Sequence, residues 1–150
     1  MTRLWRCVPR KYVKEAYDGR GGLLVDGRWH NAGQPIVYAS GSPGTAVLET
    51  LVHLGDLQAL LSTHVLIGAD IPNGLVKDAE GIPSDWNTLP FSESTQVYGD
   101  EWLRGRASVA LRVPSAVVPD DNILLNPGHE GFKAITIDAS PIHWDPRLVK

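Results

Sequence analysis

The chain has 150 residues, a length that fits one domain over residues 1–150 and leaves little room for a second. Apolar residues make up 43% and charged residues 21%, an ordinary globular mix that argues against a disordered, fibrous or membrane protein. With 14 Lys and Arg against 17 Asp and Glu the formal charge is −3, so the totals carry no basic footprint for nucleic acid.

Residues 2–8 (TRLWRCV) read as a first strand stopped by Pro9. The strand carries Cys7, the only cysteine, which excludes an intrachain disulfide framework and fits a reducing compartment. Charged residues from the start, and no apolar run near the roughly 20 residues of a membrane span, point to a soluble cytoplasmic chain. Residues 10–18 predict a short helix and residues 19–28 (GRGGLLVDGR) a Gly-rich loop. Residues 35–39 (PIVYA) form a short strand, with Pro35 at a first position where its missing N–H is tolerated.

Residues 42–54 (SPGTAVLETLVHL) give the clearest helix. Ser42 is placed to cap it, Pro43 sits at its first position and Gly55 ends it. Val47, Leu48, Leu51 and Leu54 should form its apolar stripe. Residues 63–70 (THVLIGAD) read as a buried strand closed by the Pro72-Asn73-Gly74 turn. Residues 91–104, with Trp102, predict a second long helix. Residues 108–113, 116–118 and 122–125 read as strands and connectors, and 132–138 (FKAITID) as an alternating last strand. Strands dominate without the regular strand–helix alternation of a doubly wound sheet, so the fold class is α+β.

Familiar catalytic signatures are absent. There is no HExxH or CxxC for a metal, no P-loop, no GxSxG elbow and no GxGxxG after a strand. Three features remain. Arg28 leaves the Gly-rich loop in Gly27-Arg28-Trp29-His30; it is either a plain surface charge or a bidentate clamp for an oxyanion. Tyr38 lies on the short strand, as a packed residue or a ligand stacker. Glu49 borders the apolar stripe of the helix, as a solvated partner of His53 or as a functional carboxylate.

Taken in order, these pieces resemble the RES domain family, named for an Arg, a Glu and a Ser. The likeness runs through Leu4-Trp5-Arg6, GRWHNAGQPIVYAS, TAVLETLVHL, LRVPSAVVPDDNILLNP and HWDPRL, while residues 71–105 match only loosely. The family's Arg, Glu and Ser fall on Arg28, Glu49 and Ser115, its strand Tyr on Tyr38 and the Asn of its NP motif on Asn126. One departure is Asp26 before Gly27, where the family commonly has a second Gly.

The resemblance implies a split, strongly bent β-structure with packed helices, similar to ADP-ribosyltransferase toxins. It implies the toxin half of a bacterial toxin–antitoxin pair, held in a hetero-oligomer by an Xre-type helix-turn-helix antitoxin. It also implies consumption of NAD⁺ by hydrolysis or phosphorolysis, with ADP-ribosyl transfer to a protein, or a non-catalytic nucleotide-binding module, as alternatives. NAD⁺ is then a substrate, phosphate a candidate co-substrate, and neither cofactor nor metal is expected. In that role Arg28 suits the pyrophosphate, Tyr38 the nicotinamide and Glu49 the ribose. Ser115 and Asn126 would hold ribose or phosphate, with Arg6 and Arg20 as further phosphate candidates.

Overall fold

Strand β1 (Thr2–Pro9) turns Leu4 and Val8 to one side and Trp5 and Cys7 to the other, as the period of two requires. In the computed structural model, which describes residues 1–149, it pairs along its full length with antiparallel β3 (His64–Ile71). Its other edge meets β2 (Val37–Ser40) through Trp5 opposite Ser40. Strand β2 in turn pairs with β6 (Asp121–Leu125), from Val37 opposite Leu125 to Ser40 opposite Asn122. Strands β4 (Val76–Asp78), β5 (Ala110–Pro114) and β7 (Thr136–Ile137) complete one seven-stranded sheet, in the order β4-β5-β6-β2-β1-β3-β7. The β4–β5 pair is parallel and the other pairs are antiparallel.

One face of this sheet carries the largest apolar cluster, with Leu4, Val8, Val37, Ala39, Val65, Ile67, Ile123 and Leu125 buried. Tyr17 and Phe132 cover it. The opposite face holds two smaller clusters. Cys7 and Leu66 pack under α2 (Pro43–Leu54) and α3 (Leu57–Thr63) through Ala46, Leu60 and Leu61. Leu111, Val113 and Leu124 pack with Trp29 and with Leu103 of α4 (Glu93–Gly105). Register puts Ser40 and Asn122 on this second face, since directly opposed residues share a side.

Helix α2 has the expected ends. Ser42 Oγ accepts the Thr45 N–H at 3.2 Å, and Gly55 closes the helix in the left-handed region at φ 77°. Asp120, in the β5–β6 connection, accepts from the Ser42 and Thr45 hydroxyls and so pins the helix N-terminus to the sheet. The Thr45 hydrogen bond, first among its contacts, holds the Asp120 carboxyl below its ordinary value of 3.8. A depressed carboxylate contributes stability that is present above the unfolded pKa and lost as pH falls through the folded one. Asp120→Asn should therefore flatten the decline of Tm on acidification below about pH 4, read by circular dichroism. An unchanged acid limb would mean that Asp120 does not anchor the helix.

Several expectations need correction. The apolar stripe of α2 is rotated: Ala46 is buried and Val47 and Leu51 pack beside it, whereas Leu48 and Leu54 are exposed. The short helix at 10–18 is a 3₁₀ segment, Arg10–Glu15, and the Gly-rich loop contains the five-residue helix α1 (Arg20–Leu24). Helix α3 and strand β4 were not expected. Of the strands and connectors expected over 108–125, residues 116–118 are a connector, turned back on the Ser115 side chain. The last strand shrinks to Thr136–Ile137, since Glu130–Ala134 winds into a 3₁₀ segment capped by His129 Nδ1 on Gly131 N–H.

Candidate active site

Glu49 lies in the second turn of α2, half-buried at the end of β2 and β6. Its Oε1 accepts from Ser115 Oγ and from Asn122 Nδ2, both at 2.6 Å. Ser115 follows β5 and is buried. Its oxygen accepts the N–H groups of Val117 at 3.0 Å and Val118 at 3.3 Å, which leaves its single proton for the carboxylate. Glu49 Oε2 has no hydrogen-bond partner among the described residues. A helix, a strand and a turn thus fix one oxygen and leave the other open, with Ser115 meeting Glu49 as two parts of one group.

Tyr38 stands on the same strand face as Ser40, ~7 Å along the strand. Its hydroxyl accepts the Trp29 N–H at 3.1 Å and lies 2.7 Å from His30 Nδ1. His30 is buried and its Nε2 faces the Gly22 carbonyl at 3.2 Å. Nε2 must donate there, so Nδ1 accepts the Tyr38 proton. Burial pushes the Tyr38 phenol up, and it stays a donor at neutral pH.

This bond sets the Arg28 loop on the sheet. Gly27 makes the approach feasible: a Cβ there would overlap Tyr38 Oη and lie 2.9 Å from His30 Nδ1. Gly27→Ala should cost about 1–3 kcal/mol through this overlap, seen as a lower Tm. A Tm equal to the parent's would show that the loop yields freely. Asp26, the departure from the family pattern, accepts the Ala32 N–H at 2.7 Å and closes the same loop.

Arg28 is half-buried and donates from Nη1 to the carbonyls of Trp86 at 2.8 Å and Thr88 at 2.9 Å, 5.9 Å over the Phe91 ring. Its Nε and Nη2 have no hydrogen-bond partner among the described residues, and both suit an oxyanion.

Three further sequence-predicted residues are placed differently. Asn126 is buried at the far end of β6 from Asn122. It donates to the Leu103 carbonyl and accepts the Gly128 N–H, both at 3.0 Å, so its amide serves the NP turn. Arg6 donates to the carbonyls of Tyr38 and Ala16 and braces β2 from within. Arg20 is exposed and paired with Asp18 at 3.3 Å. Sequence reasoning did not single out Ser40, Asn122 or the role of His30. Period-two spacing from Tyr38 was a signal for Ser40; Asn122 had none before the register was known. A shallow depression of about 430 Å³ between Asp78, Ile82, Arg112 and Asp121 contains none of the predicted residues.

Residues 3–145 match the RES domain. The chain belongs to the RES domain family. It is similar to Toxin Res of Photorhabdus laumondii, 42% identical over an alignment of 152 positions that spans 98% of this chain and 97% of that protein. It is also similar to Toxin Res of Yersinia enterocolitica, at 34% over 97% of this chain and 98% of that one. A Sphingobium protein named Prs ADP-ribosylating toxin is 31% identical over 99% of this chain and 98% of its own length. The crystal structure of the M. tuberculosis MbcT–MbcA toxin–antitoxin complex contains a chain with the same fold. Its TM-score is 0.78 over 97% of this chain and 85% of that one, at 15% identity. The mixed α+β architecture is therefore shared with that chain.

Proposed function

We propose that this RES protein is the toxin of a toxin–antitoxin pair and cleaves the nicotinamide–ribose bond of NAD⁺, with water or phosphate as acceptor. The supporting observation is the Glu49 carboxylate, held through Oε1 by Ser115 and Asn122, with Oε2 unpaired among the described residues. Nicotinamide in NAD⁺ is cationic and leaves with the electron pair of the broken C–N bond as a neutral molecule. Positive charge then grows on the ribose, and a fixed carboxylate beside it stabilises that charge without reorganising. The acceptor oxygen bonds to the same ribose carbon and gives its proton to solvent or to Glu49. Arg28 holds the pyrophosphate through Nε and Nη2. The ring of Tyr38, kept in place by His30, borders the nicotinamide, a cation–π contact of about 0.5–2 kcal/mol.

The antitoxin in this reading is of Xre type. Leu48 and Val52, exposed on the outer side of α2 next to Glu49, offer it apolar contact beside the site. ADP-ribosyl transfer to a protein uses the same residues, and the name of the Sphingobium relative favours it as a second reading. A module without catalysis has no use for a carboxylate fixed on one oxygen.

Expression without the antitoxin distinguishes these readings. Growth arrest with a collapse of cellular NAD⁺ supports consumption. Arrest with NAD⁺ unchanged and an ADP-ribosylated protein favours transfer.

A further inference from the structure

We propose that Asn122 is a positioning residue for Glu49 and that Ser40 sets its orientation. This rests on the reading of Glu49 as the carboxylate that serves the ribose. Asn122 stands on β6 directly opposite Ser40 on β2. Its Nδ2 donates to Glu49 Oε1 at 2.6 Å, and its Oδ1 accepts from Ser40 Oγ at 2.8 Å. The reverse amide orientation would bring Oδ1 against a carboxylate oxygen and forfeit the bond. Buried Ser40, whose proton goes to Oδ1, reinforces the productive orientation.

Ser115 and the amide each supply one donor to the same oxygen, the first from the turn after β5 and the second from β6. Both lone-pair directions of Oε1 are then occupied. The carboxylate plane is fixed relative to the sheet, and Oε2 is the oxygen left to act. Because Ser115 follows β5, Ser40 and Asn122 sit on β2 and β6 and Glu49 lies on α2, the arrangement exists only in the assembled fold. Asn122 needs no contact with substrate in this role: it acts on turnover through Glu49.

Steady-state kinetics of NAD⁺ cleavage on Asn122→Asp, Asn122→Ala and Ser40→Ala, with Tm measured alongside, test the assignment. Asn122→Asp keeps shape and backbone pairing but turns a donor into a second carboxylate facing Glu49. Loss of a hydrogen bond to a charged group corresponds to roughly 10- to 100-fold. Asn122→Asp should lower kcat by at least that much with KM within about twofold. Asn122→Ala should lose less, because water can replace the donor, although it removes more of the side chain. Ser40→Ala should lower kcat in the same direction by a smaller factor.

A purely structural Asn122 would give the reverse order, the isosteric variant being the milder. That result overturns the proposal, as does wild-type kcat in Asn122→Asp or a change confined to KM. Should Asn122→Asp fail to fold, an unchanged kcat in Ser40→Ala overturns it alone. Wild-type protein that does not cleave NAD⁺ overturns the underlying reading, an outcome distinct from cleavage that is indifferent to Asn122.

Discussion

Glu49→Gln should fold, bind NAD⁺ and lose cleavage by about 10²–10³-fold or more, the size seen when a preorganised charge-stabilising group is removed. Gln is nearly isosteric, and its carbonyl oxygen can accept from Ser115 and Asn122 as Oε1 does. The surroundings therefore stay in place and Tm should shift by no more than a few degrees. What disappears is the negative charge opposite the developing oxocarbenium ion. A Glu that merely paired with a neighbour on its helix would contribute only ~0.3–0.5 kcal/mol to stability and nothing to turnover. A kcat fall of this size with KM nearly unchanged places the loss in the transition state. Toxicity should vanish in the same variant, and near-wild-type turnover would remove Glu49 from the mechanism.

Arg28→Ala should weaken NAD⁺ binding roughly ten- to hundredfold, the worth of charge-assisted hydrogen bonds to the pyrophosphate. Arg28→Lys should fall between it and the parent, because an ammonium keeps the charge and loses the planar fork. Calorimetric titration in a Glu49→Gln background measures binding without turnover. The Ala variant should also lose some Tm, since Arg28 ties the loop at Trp86 and Thr88 to the Gly27–His30 turn. Equal losses in the two variants would assign the contact to the planar fork, and a Lys variant equal to the parent would indicate attraction of charge alone. Unaltered binding in both would take Arg28 out of the site.

Much of this arrangement was legible before the fold was known, because local chemistry enforces it. Ser42, Pro43 and Gly55 delimit α2 through capping groups that act within a few residues. The apolar run of β3 reflects burial on both faces of a central strand. The α2 stripe misled because apolar residues also occupy its outer side: Leu48 and Val52 stay exposed while the small Ala46 and Thr45 pack inward. Residues 132–138 alternate like a strand, yet Phe132 and Ile135 reach the core from a 3₁₀ segment and the residue after it, and the remaining edge is two residues long. In the site, Arg28, Tyr38 and Glu49 stood out from the sequence itself and Ser115 by family resemblance. Asn122 depends on which residue faces Ser40 across β2 and β6, a property of register that no local pattern encodes. Asn126 and Arg6 illustrate the converse, polar residues in matching segments whose donors serve backbone carbonyls.

The most direct measurement is incubation of the purified protein, freed of its antitoxin, with NAD⁺ in the presence and absence of phosphate, with products identified by mass spectrometry. The expected result is free nicotinamide together with ADP-ribose or its 1″-phosphate, formed by the parent and not by Glu49→Gln. Intact NAD⁺ under both conditions, with the protein folded, would contradict the account.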